Sequence, residues 1–71
     1  MTTPPLSLTV NGDPRSIPAP ATVAELLIHL ELDPRAVVVE LNRTILRRPD
    51  LEATALQDGD TVEVVHFVGG G

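Results

Sequence analysis

The sequence is 71 residues long, enough for one hydrophobic core and too short for a second. Ten acidic residues stand against five basic ones, all five arginine, for a formal net charge of -5. That balance excludes nucleic-acid binding, which needs a basic face to displace counterions, and suits a positively charged protein partner. Cysteine is absent and the only aromatic residue is Phe67, so disulfides, thiolate metal sites and an internal sulfur nucleophile are excluded, and the core must be aliphatic. Without lysine, copies of the chain cannot be joined through lysine side chains. Met1–Pro5 carries no basic region followed by an apolar run, and no segment approaches the length of a membrane span. A cytoplasmic protein without a signal peptide is expected.

Leu6-Ser7-Leu8-Thr9-Val10 alternates apolar and polar residues and reads as a half-buried strand. Asn11-Gly12-Asp13-Pro14 is a turn signal, and Arg15-Ser16-Ile17 is the return strand of a β-hairpin over residues 6–17. Pro18 and Pro20 stop the sheet, since proline cannot donate to a ladder. Thr22-Val23-Ala24-Glu25 has the capping-box pattern, with Thr22 as N-cap and Glu25 reaching back. Val23, Leu26, Leu27 and Leu30 follow at i, i+3, i+4 and i+7, one helical stripe. Asp33-Pro34 is expected to end this helix, because the residue before proline disfavours the α region.

Ala36–Leu41 is rich in β-branched residues and reads as a third strand. Asn42-Arg43 connects it to a short fourth strand, Thr44-Ile45-Leu46. Leu51 and Leu56 are expected to anchor an irregular or single-turn stretch to the core, and Asp58-Gly59-Asp60 to turn the chain into a last strand, Thr61–Val68. The order ββαββ followed by β predicts an α+β fold in which one main helix covers one face of a mixed sheet of four to five strands. That arrangement is the β-grasp, or ubiquitin-like, roll. Residues 1–67 form its single domain, with residues 1–5 an N-terminal extension and residues 68–71 a flexible glycine tail.

The sequence closes on Val68-Gly69-Gly70-Gly71. A glycine triplet that directly follows a strand, with no loop between, is well shaped for insertion into another protein's active site; the plainer reading is a frayed end. The segment Asp58–Gly71 resembles the C-terminal end of the thiazole sulfur carrier proteins, the ThiS family. Val10-Asn11-Gly12, Thr22-Val23-Ala24-Glu25-Leu26-Leu27 and Val38-Val39-Glu40-Leu41-Asn42 fit the same family. The related molybdopterin-synthase small subunits also end in Gly-Gly, but usually carry a Pro-Pro pair where this chain has His66-Phe67-Val68. The longer, proline-rich Met1–Pro5 segment departs from the family's short N-terminus.

The resemblance implies a co-substrate rather than an enzyme. A partner of the ubiquitin-activating type would use ATP and Mg²⁺ to adenylate the Gly71 carboxylate. Sulfur from a cysteine desulfurase persulfide would then convert it to a thiocarboxylate, which donates sulfur to thiazole synthase. No cofactor is expected to reside on the chain itself. Gly70 and Gly71, lacking Cβ, would thread a narrow channel, with Gly69 a more tolerant spacer. Alternation along the last strand places Val62 and Val64 toward the core and Glu63, Val65 and Phe67 on the open face, joined by Val38 and Glu40 from the third strand. An exposed valine and phenylalanine beside a reactive tail point to a partner-docking patch; the competing expectation is that Phe67 folds back and merely stabilises the sheet.

The remaining polar residues suggest no chemistry of their own. His29 is expected to be a solvated helix residue on the polar side with Glu25, and His66 a packing or hydrogen-bonding residue near the strand end. Asp58-Gly59-Asp60 lacks the remaining ligands of a calcium loop. Arg47-Arg48 reads as a solvated pair. Three functions stay open: sulfur carriage for thiazole synthesis, sulfur carriage for molybdopterin, cysteine or tRNA thiolation, and a ubiquitin-like binding or modifier module.

Overall fold

The computed structural model describes residues 3–67. Strand β1 (Leu6–Val10) pairs antiparallel with β2 (Asp13–Ile17), Leu6 opposite Ile17 and Val10 opposite Asp13. The connection is the two residues Asn11 and Gly12, at φ 51° and 83°. Positive φ at both central positions is the turn whose twist matches a hairpin, and Asn-Gly is its preferred sequence. The return strand starts at Asp13 rather than Arg15, so Pro14 lies inside β2 opposite Thr9. Its missing N–H is tolerated because β2 is an edge strand.

Helix α1 runs over Val23–His29. Seven residues are too few for an isolated helix, so packing and end groups hold it. The capping box forms: the Glu25 N–H donates to Thr22 Oγ1 at 3.2 Å, and the Thr22 N–H donates to Glu25 Oε1 at 2.9 Å. The N–H groups of Val23 and Ala24 donate to the carbonyls of Thr54 and Leu51 at 3.0 and 2.9 Å. The loop that follows β4 thus satisfies the helix start. Val23, Leu26 and Leu27 are fully buried.

The helix ends earlier than expected. It stops before Leu30, not at Asp33-Pro34, because Glu31 takes the left-handed conformation at φ 59°. The Glu31 N–H donates to Ile28 O and the Leu32 N–H to Leu27 O, both at 2.9 Å, the Schellman pattern that normally recruits glycine. Asp33 instead caps a 3₁₀ turn, Pro34–Ala36, its Oδ1 accepting from the Arg35 N–H at 2.9 Å. Ala36 therefore belongs to that turn, and β3 begins at Val37.

Strands β3 (Val37–Leu41) and β4 (Thr44–Leu46) form the second hairpin across Asn42 and Arg43, at φ 49° and 71°. A second 3₁₀ turn, Arg48–Asp50, leads to Leu51 and Leu56, both buried in the core as expected. β5 (Thr61–His66) enters the middle of the sheet, parallel to β1 and antiparallel to β3, giving the order β2-β1-β5-β3-β4. This is the β-grasp roll. Thirteen aliphatic residues, including Leu8, Val10, Ile17, Val39, Val62 and Val64, form its core, and no described polar side chain is buried.

Candidate functional site

Alternation in β5 decides what the end of the chain presents. Val62 and Val64 are buried beneath α1, while Thr61, Glu63 and Val65 point to the open face. Phe67 follows the strand and remains tied to β3, its N–H donating to Ala36 O at 2.9 Å. The ladder sets Val65 opposite Val38 and Glu63 opposite Glu40. All four expected docking residues, Val38, Glu63, Val65 and Phe67, are thus brought together. Phe67 is 55% exposed and Val65 60%, so Phe67 is not folded away into the sheet. Gly69, Gly70 and Gly71, expected to carry the reactive carboxylate and its approach, lie outside the described residues, as does Val68.

The structure adds residues to this face. Ile45 lies opposite Glu40 and is 64% exposed, extending the apolar patch across β4. A hollow of about 290 Å³ beside it is lined by Val38, Ile45, Arg47 and Phe67 among others. A three-residue strand gives almost no alternation to read, which is why Ile45 escapes a sequence reading. Glu40 and Glu63 face each other directly across β3 and β5, an arrangement that disfavours the isolated sheet and suits a cationic partner surface.

Two asparagines do more than turn the chain. Asn11 accepts from the Val64 N–H through Oδ1 at 2.8 Å and donates from Nδ2 to Val64 O at 3.1 Å. Asn42 accepts from the Thr61 N–H at 2.9 Å and donates to Asp60 Oδ1 at 3.0 Å. Asn11 uses its side-chain amide as a substitute peptide against Val64 in the second half of β5, while Asn42 ties the start of the strand to its own turn through Thr61 and the Asp60 carboxylate.

The other polar groups form no reactive constellation. Among the described residues no group of three His, Cys, Asp or Glu side chains is placed to hold a metal ion. Asp58 Oδ1 accepts from the Ser7 N–H at 2.7 Å, and Asp60 Oδ2 from the Gln57 N–H at 2.8 Å, so these two carboxylates serve their turn. His66 is exposed rather than packed, because the strand has by then run past the helix-covered core. Hydrogen bonds from Arg35 hold the Asp33 carboxyl below the usual carboxylate range and raise the guanidinium in turn. Both groups sit on the turn before β3 and are solvent-exposed. A second hollow of about 310 Å³ lies between α1 and Pro18-Pro20, lined by Glu25, Ile28 and His29 among others, away from the end of β5.

The chain matches the model of the ThiS family over residues 8–71. It is 40% identical over 50 residues to the sulfur carrier protein ThiS of Bacillus subtilis, covering 70% of this chain and 76% of that protein. It is 39% identical over 66 residues to a thiazole synthase of Magnetococcus marinus, covering 93% of this chain but 20% of that protein. A thiazole synthase of Paramagnetospirillum magneticum is 41% identical with the same coverage, so the chain spans about a fifth of the length of these relatives. The crystal structure of the thiamine biosynthesis protein ThiS from Geobacter metallireducens superposes with a TM-score of 0.79 at 42% identity, covering 93% of this chain and all of that one. This chain belongs to the ThiS family.

Proposed function

We propose that this protein is a sulfur carrier of thiamin biosynthesis, a co-substrate that brings sulfur to thiazole formation on its own C-terminal residue. Family membership over residues 8–71 carries this reading. It is supported by the exposed apolar face that Val65 and Phe67 present at the end of β5. The likeness to proteins named thiazole synthase supports a thiazole synthase as the sulfur acceptor.

The chemistry follows from the carboxylate. An α-carboxyl group titrates at about 3.5, so at neutral pH Gly71 is an anion and a poor electrophile. An oxygen of that anion attacks the α-phosphate of ATP in a ubiquitin-activating-type partner, with Mg²⁺ on the nucleotide; pyrophosphate leaves and an acyl-adenylate forms. The terminal sulfur of a cysteine persulfide, supplied by a cysteine desulfurase, displaces AMP. A second thiol then cleaves the S–S bond, leaving the thiocarboxylate on Gly71 and a disulfide between the two cysteines. ATP and Mg²⁺ are consumed or held by partners, not by this chain. Val38, Val65, Phe67 and Ile45 dock the activating enzyme, and Glu63 with Glu40 meets its cationic groups.

Deletion of Gly71, or Gly71→Ala, is expected to abolish ATP–pyrophosphate exchange by the activating enzyme while the thermal transition stays unchanged. Exchange at the wild-type rate with either variant would contradict the role given to the terminal glycine.

A further inference from the structure

We infer that Asn11 is a positioning residue for the carrier reaction: its side-chain amide holds the C-terminal half of β5, and with it Phe67, the last described residue before Gly71. The inference rests on the carrier reading above. The parallel ladder between β1 and β5 consists of Thr9 opposite Thr61 and Val10 opposite Val62. The Asn11 N–H closes it by donating to Val62 O at 2.9 Å. After that β1 turns away at Gly12, and β5 runs on for Glu63–His66 without a strand on that side. A strand paired on one side only is an open edge.

Asn11 repairs one step of that edge. It lies 53 residues from Val64 in sequence, yet its one amide makes both hydrogen bonds that Val64 would have made with two residues of a continuing β1. Only one orientation of the amide satisfies both, with Oδ1 toward the N–H and Nδ2 toward the carbonyl. The left-handed backbone of the hairpin turn aims it there: at φ 51°, a conformation asparagine tolerates better than other side-chain-bearing residues. The same residue therefore closes the first hairpin and holds β5 two residues before the strand ends at His66. On the opposite side Ala36, just before β3, holds Phe67 through its carbonyl, so the end of β5 is attached from both sides.

Asn11→Gly separates these roles, because glycine keeps the positive φ of the turn and deletes the amide. Asn42→Gly is the matched control: it too removes a side-chain clamp from a left-handed turn position, but at Thr61, the far end of β5. The two variants should lose comparable thermal stability. In Asn11→Gly, amide hydrogen exchange at Val64 should accelerate beyond the change in global stability, while exchange at core amides such as Val39 follows the global change alone. In ATP–pyrophosphate exchange with the activating enzyme, Asn11→Gly should raise KM roughly fivefold at unchanged kcat, the equivalent of re-ordering about one backbone residue on tail insertion. Asn42→Gly should leave KM within twofold of wild type. Equal KM for the two variants, or unchanged relative protection at Val64, would overturn the positioning role. Absence of exchange with the wild-type chain would instead overturn the carrier reading, and the positioning role with it.

Discussion

At the scale of single residues, the fold depends on side chains that stand in for missing backbone partners. Thr22 and Glu25 exchange hydrogen bonds at the start of α1, Asn11 extends β1 against Val64, and Asn42 secures Thr61. Thr22→Ala leaves the Glu25 N–H without its acceptor and should cost about 1 kcal/mol. For a domain of this size that lowers the melting temperature by roughly 4–8 °C, measurable by circular dichroism; no change would mean that the Leu51 and Thr54 carbonyls hold the helix start alone. The capping box is legible in the sequence because both its residues lie within one turn. The Asn11 clamp is not, because its partner is 53 positions away and the Asn-Gly pair already has a sufficient explanation as a turn. Asp33 is held ionised by Arg35. With its folded pKa lowered, whatever it contributes is present above the usual carboxylate value and is lost as pH falls through the folded one, and solvent exposure keeps it small.

At the scale of elements, β5 positions the proposed docking face. It occupies the middle of the sheet, buries Val62 and Val64, and delivers Val65 and Phe67 to the open face beside Val38 and Ile45. Phe67 is more than half exposed, so Phe67→Ala should lower the melting temperature by no more than about 4 °C. Binding to the activating enzyme, measured by calorimetry or by KM, should weaken roughly tenfold or more, as expected for an aromatic anchor at an interface. Equal losses of stability and affinity would return Phe67 to a purely structural role. Both hairpins and the identity of all five strands can be read from alternation and turn residues. The end of α1 cannot, since its Schellman turn places Glu31 where glycine is the usual signal. Nor can the apolar patch in full: Ile45 breaks the rule that large aliphatic residues of a short strand face the core.

At the scale of the whole molecule, a 71-residue acidic domain combines an aliphatic core with an apolar open face, the face that the proposed function gives to larger, cationic partners. Among the described residues no helix is long and apolar enough to cross a membrane. In the proposed reading the domain provides a rigid strand and a recognisable face, Gly71 provides the reacting carboxylate, and partners provide nucleotide, metal and sulfur. The central claim is that Gly71 is the atom carrier, and one measurement addresses it directly. The protein is incubated with ATP, Mg²⁺, the activating enzyme, a cysteine desulfurase and cysteine, and its C-terminal fragment is then analysed by mass spectrometry after thiol alkylation. Localising the modification matters, since replacing oxygen by sulfur adds nearly the same mass as oxidation of Met1. An alkylated thiocarboxylate on Gly71 is the predicted result; an unmodified Gly71 carboxylate, with an activating enzyme that modifies another ThiS-family protein under the same conditions, would contradict it.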